Sequence, residues 1–153
     1  METVRRVIAD LRPSVLDQLG LWTALEWQAE QTEACTGLKC KVSIDEPAAT
    51  TDIDPERSTA LFRIVQETLT NVVRHAHATQ VEIQVMREND SIRIEVEDDG
   101  KGIDSERLLK RKSWGIAGMV ERARYFGGEI RITDTSHGTR VVLCMPLESP
   151  VSE

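Results

Sequence analysis

Glu67-Thr68-Leu69-Thr70-Asn71-Val72-Val73-Arg74-His75-Ala76, joined through alternating apolar residues to Asp98-Asp99-Gly100-Lys101-Gly102, decides how this chain folds. Glu67, Asn71 and His75 recur every four residues, which sets their side chains on one face of a helix. Leu61, Ile64, Val65, Leu69, Val72, Val73 and Ala76 form the apolar stripe that this polar trio borders. Asp54 is placed to cap the helix, and Pro55 suits its first turn. Beyond it, Val81, Ile83 and Val85 alternate with polar residues, as do Ile92, Ile94 and Val96, with Glu88-Asn89-Asp90 as the turn between them. The centre of the fold is therefore a helix leading into a hairpin with one apolar face, which ends in an acidic, glycine-rich turn.

On the N-terminal side, Val4, Val7, Ile8 and Leu11 keep helical spacing until Pro13 ends or kinks the run. A stripe that begins at residue one without a cap suggests the tail of a longer helix in a larger protein. Leu21, Ala24, Leu25, Gln28, Ala29 and Thr32 trace a second helix that stops near Gly37, and Trp22 and Trp27 lie off its stripe, expected partly buried. Residues 39–44 alternate as a strand, and residues 45–54, with Pro47, read as a polar loop. On the C-terminal side, residues 104–113 carry the basic run Lys110-Arg111-Lys112 and few apolar residues, which predicts a mobile loop. Ile116, Met119, Val120, Ala123 and Phe126 define a further helix, closed by Gly127-Gly128. Strands over 129–133 and 139–145 follow, separated by a turn at Ser136-His137-Gly138. Antiparallel strands with helices that can all lie on one face predict an α+β two-layer sandwich: a mixed, mostly antiparallel sheet with its helices on one side.

Composition narrows the function. A chain of 153 residues with 40% hydrophobic content builds a single core. A net charge of -7 and six aromatic side chains (Phe 2, Tyr 1, Trp 3) exclude the basic, stacking surface that nucleic acid requires. No apolar run approaches the ~20 residues that span a bilayer, and Met1-Glu2-Thr3 opens no signal peptide, so a cytoplasmic chain without membrane contact is expected. Cys35, Cys40 and Cys144 are odd in number and make no C-x-x-C pair; reduced, half-buried thiols are expected. His75 and His77 diverge by roughly 200° on a helix and make a poor metal pair.

The polar trio and the acidic turn suit a nucleotide. An Asn oxygen is an acceptable Mg2+ ligand where phosphates and waters complete the shell, and Glu67, one turn away, can orient a water or accept a proton. The plainer alternative for Asn71 is a carboxamide bonded to nearby backbone. Asp98 and Asp99 can be simple turn formers, yet Gly100 and Gly102, followed by Ile103, leave a backbone that a ligand can approach. A buried Asp there can accept a hydrogen bond from adenine's exocyclic amine. Ser113-Trp114-Gly115-Ile116-Ala117-Gly118 lacks the first glycine and the βαβ context of a dinucleotide fingerprint. What survives is a glycine-containing helix N-terminus, which favours phosphate. Gly138-Thr139 is either a hairpin turn or a close-approach point with a hydroxyl.

In this order, these segments resemble the ATP-binding catalytic domain of sensor histidine kinases, within the superfamily that includes type II topoisomerases and mismatch-repair ATPases. Residues 66–76 look like the N box, Asp98 to Ile103 like the first glycine box, Gly115-Ile116-Ala117-Gly118-Met119 like the second, and Gly138-Thr139 with Pro146 like the end of the domain. The resemblance implies that Asn71 binds Mg2+, that Glu67 assists phosphoryl transfer and that Asp98 holds adenine. It adds Arg74, His75, Gly100, Gly102, Ile103, Gly115, Gly118, Met119, Gly138 and Thr139 to the ATP site. Arg74-His75-Ala76 with Ala78, Gly118-Met119 before Glu121-Arg122, and Asp10-Leu11-Arg12-Pro13 with Leu16-Asp17 and Leu19-Gly20-Leu21 resemble the nitrate-sensor and lipid-sensor type of bacterial kinase. Such kinases are dimeric and phosphorylate response regulators that carry a DNA-binding helix-turn-helix domain.

The resemblance divides the chain into the end of a dimerisation helix and linker (1–20), the ATP-binding catalytic domain (21–148) and a tail (149–153). It also places the phosphoacceptor histidine and most of the dimerisation helices upstream, in a parent kinase that can be membrane-anchored. By itself the chain is then expected to bind nucleotide without phosphorylating itself. Ser113 stands where a glycine is common. Two alternatives share the boxes: a serine/threonine kinase of the anti-sigma-factor type, and a nucleotide-sensing module without transfer. The segment 10–21 speaks against the first.

Overall fold

The computed structural model describes residues 14–101 and 115–148, so the stripe over 4–11, the basic run 110–112, Ser113, Gly102, Ile103 and the tail lie outside the described residues. Helix α1 (Ser14–Thr36) buries Leu21, Ala24, Leu25, Ala29 and Thr32, and is broken at Gly20 (φ 83°, ψ 170°). Leu16, ahead of the break, is also buried against the core. Trp22 packs partly on the core, whereas Trp27 and Cys35 are exposed, contrary to expectation, because both lie off the buried stripe.

Strand β1 (Lys39–Ile44) leads into a short helix, α2 (Glu46–Ala49), where a loop was expected. Asp45 Oδ1 accepts from the Ala48 N–H at 2.8 Å, Pro47 sits in the first turn where its missing N–H costs nothing, and Ala48 is fully buried. Helix α3 (Pro55–Asn71) starts as its sequence predicts, with Asp54 Oδ2 accepting from the Arg57 N–H at 3.1 Å. Its last turn, Val72–Ala76, is a π-helix. Widening the turn rotates the residues that follow: Val72 and Ala76 stay buried, while Val73, expected in the core, is 42% exposed.

Strands β2 (Gln80–Glu88) and β3 (Ser91–Asp98) form the expected hairpin. Helix α4 (Ile116–Tyr125), β4 (Glu129–Thr135) and β5 (Gly138–Pro146) complete the chain, and the β4–β5 turn is one residue tighter than the sequence suggested because Gly138 already belongs to β5. The five strands run in the order β1-β2-β3-β5-β4; β1 is parallel to β2 and every other pairing is antiparallel.

Alternation sends Val81, Ile83, Val85, Ile92, Ile94, Val96, Leu143 and Met145 to the buried face, where they meet Leu25, Leu61, Phe62, Ile64, Leu69 and Met119 from the helices. The opposite face is polar and carries the pairs Arg93–Glu95 (3.0 Å) and Arg140–Glu97 (3.1 Å). One buried cation joins three elements. Arg57 donates from Nε to the Pro146 carbonyl (2.8 Å), pairs with Asp54 (3.0 Å) and stacks 5.0 Å from the Phe126 ring centroid. The result is an α+β sandwich, as the sequence predicts.

Candidate functional site

The apolar register of β3 carries through to its end. Because Ile92, Ile94 and Val96 face the helices, Asp98 faces them too, and only 5% of it is exposed. Its Oδ1 accepts from the Gly100 N–H at 2.8 Å, and the Thr139 N–H also donates to the carboxylate. Burial pushes the Asp98 carboxyl above its ordinary pKa; the two N–H donors oppose that shift, and the charges of Asp99 and Glu97 add to it.

Thr139 is the β5 partner of Asp98 in the β3–β5 register and is 1% exposed. Among the described residues its buried Oγ1 has no hydrogen-bond partner. An orphaned buried hydroxyl beside a buried, desolvated carboxylate is costly in a domain with nothing else to do. Together they present an acceptor and a donor-acceptor that a ligand with complementary polar edges would satisfy. Gly138 permits this approach: its φ is +152°, and a Cβ there would strike the Asp98 carbonyl oxygen and lie 3.0 Å from Oδ1.

The second half of the site is the end of α3. Asn71 is buried and Glu67 half-buried, one turn apart. Gly115, the residue ahead of α4, packs directly on Glu67; a Cβ at Gly115 would lie 2.7 Å from the Glu67 carboxyl carbon. The α4 N-terminus, the Glu67 carboxylate and Asn71 therefore share one region. An amide oxygen with one neighbouring carboxylate fits Mg2+, which keeps several waters and phosphate oxygens and needs no complete protein cage.

The other expected site residues are placed as follows. Gly118 is exposed on the first turn of α4, with open space where a Cβ would go. Met119 is buried between α3 and α4, where its sulfur receives the Thr68 hydroxyl at 3.6 Å. His75 is half-buried in the π-turn. Arg74 is exposed and lines a groove of about 270 Å3 against α1, with Gln28, Thr32 and Cys35. A depression of about 850 Å3 lies across the polar face of the sheet. There Lys39, Lys41 and Arg140 are interleaved with Glu33, Glu82 and Glu97, and at the end of β3 the depression reaches Asp98 and Asp99. Sequence reasoning missed the π-turn and the bonds made by Asp99, whose partners lie some twenty residues away.

Comparison with known proteins identifies the family. Residues 56–149 match the family model described as "Histidine kinase-, DNA gyrase B-, and HSP90-like ATPase". Sensor histidine kinase MctS of Rhizobium johnstonii is 36% identical over 148 residues, covering 95% of this chain and 32% of that protein. Sensor histidine kinase NarS of Mycobacterium tuberculosis is 33% identical over 150 residues, covering 96% and 34%. The chain thus spans about a third of the curated relatives it matches. Among solved structures, the histidine kinase domain of the Erythrobacter litoralis EL346 blue-light activated histidine kinase superposes with a TM-score of 0.69 at 26% identity, over 83% of this chain and 61% of that one. The catalytic domain of histidine kinase ThkA shares the fold at TM-score 0.70 and 14% identity, over 85% and 93%. The family match covers well over half of the sequence, so the chain belongs to the histidine kinase-, DNA gyrase B- and HSP90-like ATPase family.

Proposed function

We propose that this chain binds ATP-Mg2+ and, in its intact parent, delivers the γ-phosphoryl group to a histidine on a separate dimerisation domain in two-component signalling. The observation that carries the nucleotide half is the pair formed by the buried Asp98 carboxylate and the orphaned Thr139 hydroxyl. Asp98 accepts from adenine's exocyclic amine, Thr139 closes the remaining polar edge, and Gly100 and Gly138 keep the backbone within reach of the base. Asn71 holds Mg2+, which when bound neutralises phosphate charge. Gly115, Gly118 and Met119 set the α4 N-terminus toward the triphosphate, with Arg74 and His75 at the other border.

Phosphoryl transfer depends mainly on positioning and charge neutralisation. Glu67 holds the proton-accepting position beside Asn71 and polarises the incoming histidine. The kinase reading draws on family membership and on relatives named as sensor histidine kinases. The parent's partners are then its own phosphoacceptor domain and a response regulator, with this domain in the cytoplasm; no helix among the described residues is long and apolar enough to cross a membrane.

A nucleotide titration of wild type, Asp98→Asn and Asn71→Ala tests the site. Asp98→Asn should weaken ATP binding by about 10- to 100-fold, the worth of a hydrogen bond to a charged group. Asn71→Ala should abolish the Mg2+ dependence of binding. Unchanged binding in both would reduce the helix and the turn to structural roles. For transfer, the upstream helices are restored and labelled ATP supplied: acid-labile phosphohistidine supports the kinase, and tight binding without transfer identifies a sensing module.

A further inference from the structure

Asp98 and Asp99 are adjacent acids with opposite fates. Asp98 turns inward, where its carboxylate accepts from the Gly100 N–H two residues on and from the Thr139 N–H of β5. Asp99 is exposed, and its carboxylate bonds reach across the sheet end: Oδ1 accepts from the Thr79 N–H at 2.8 Å and the Gln80 N–H at 3.0 Å, while Oδ2 accepts from the Thr79 hydroxyl. Its own N–H donates to the Gln80 carbonyl at 3.3 Å. A simple turn-forming Asp would bond within its own turn; Asp99 bonds to the segment that leaves the π-turn.

That segment matters because it connects the two halves of the site. The π-turn ends at His77 in the left-handed region (φ 52°), and β2 begins at Gln80. On the other side of the junction, the Ala76 carbonyl accepts from the Lys101 N–H at 2.9 Å, and a Cβ at Gly100 would strike that same oxygen. The end of the Asn71 helix and the Asp98 turn are thus held face to face by bonds through Thr79, Gln80 and Ala76. Regular pairing of β2 with β3 stops at Val81↔Asp98, so Asp99 supplies the contact just where the ladder gives out.

We infer that Asp99, with Thr79, is a positioning residue for nucleotide: its clasp fixes the Asn71 helix end relative to the Asp98–Thr139 pair, so that one ligand can engage both. This rests on the nucleotide site proposed above. Asp99 itself touches no ligand in this scheme; it sets the distance between groups that do.

The test is MgATP affinity of this chain, with thermal unfolding measured in parallel, for wild type, Asp99→Ala, Asp99→Asn, Thr79→Val and Asp54→Ala. Asp54 caps α3 at its far end, so Asp54→Ala controls for lost stability alone. Asp99→Ala should weaken MgATP by about tenfold or more, while Asp54→Ala stays within about twofold, since distant sites act independently. Asp99→Asn should recover to within about threefold of wild type, because the amide oxygen still accepts both N–H groups and its NH2 can donate to the Thr79 hydroxyl. Thr79→Val, losing one bond, should weaken binding by about threefold. Folded Asp99→Ala that binds within about twofold of wild type, or affinity losses that merely track the melting temperature across Asp99→Ala and Asp54→Ala, overturns the inference. If Asp99→Ala does not fold, an unchanged affinity in folded Thr79→Val overturns it. A wild type that binds no MgATP sinks the nucleotide site itself, a result distinct from either.

Discussion

At the scale of single residues, the site is where the chain accepts disadvantage. Thr139 buries a hydroxyl that nothing among the described residues satisfies, and Asp98 buries a carboxylate. Thr139→Val keeps the shape and removes the orphan group, so the free domain should gain up to about 1 kcal/mol in denaturant unfolding, while ATP affinity drops. A loss of stability would mean that the hydroxyl has a partner of its own. The Asp98 carboxyl has its pKa raised above the ordinary 3.8, first by burial. Between 3.8 and that raised value the folded chain binds more protons than the unfolded one, so the stability Asp98 contributes is full below 3.8 and is lost as pH rises through the folded value. Binding has the opposite sign: adenine's amine needs the ionised acceptor, so ATP affinity should fall as pH drops through the raised pKa. That fall should be absent in Asp98→Asn; a pH profile shared by both proteins would separate the carboxylate from adenine.

At the scale of elements, what was legible in the sequence was what short-range chemistry writes. Asp54 with Pro55 announces the start of α3, and the two-residue alternation of 81–85 and 92–96 announces the hairpin. A buried Asp in the acidic turn was also expected, and Asp98 is buried because it continues the inward register of β3. What could not be read depends on contacts distant in sequence. Nothing around Val72 signals a π-turn, since its residues fit an α-helix equally well, and that turn is what exposes Val73. Pro47 suggested a loop because proline breaks helices from inside, whereas here it sits in the first turn behind the Asp45 cap. Nothing in the sequence around Arg57 announces its burial, since only the fold brings Pro146 and Phe126 to it. Capping is nevertheless testable at this scale. Asp54→Ala should cost about 1 kcal/mol, as caps do. The Asp54 pKa is lowered: burial, which would raise it, is outweighed by the hydrogen bonds and charge of Arg57. Its contribution is therefore present above the unfolded value of 3.8 and lost as pH falls through the folded one. Acid titration of stability should be shallower in Asp54→Ala than in wild type; identical curves would show that the cap carries no charge-dependent share.

At the scale of the whole molecule, the proposed site is assembled from elements spread from the central helix to the last strand. Glu67 and Asn71 come from the central helix, Asp98 from the middle of the sheet, Gly115 from the start of α4 and Thr139 from the last strand. No one of these elements holds the site alone, so a ligand that touches all of them stabilises the fold as a unit. For MgATP at about 100 times its dissociation constant the gain is about 2.7 kcal/mol, which for a domain of this size corresponds to a rise in melting temperature of roughly 5–10 °C. The variants should part company here. Asp98→Asn removes a buried charge, so its free form should melt no lower than wild type, yet most of its MgATP shift should vanish. Asp54→Ala should melt lower and keep the full shift, because its lesion lies outside the site. Differential scanning fluorimetry with and without MgATP checks both. If Asp98→Asn instead melts several degrees lower and keeps its shift, the buried carboxylate is a structural hydrogen-bonding post, and adenine binds elsewhere.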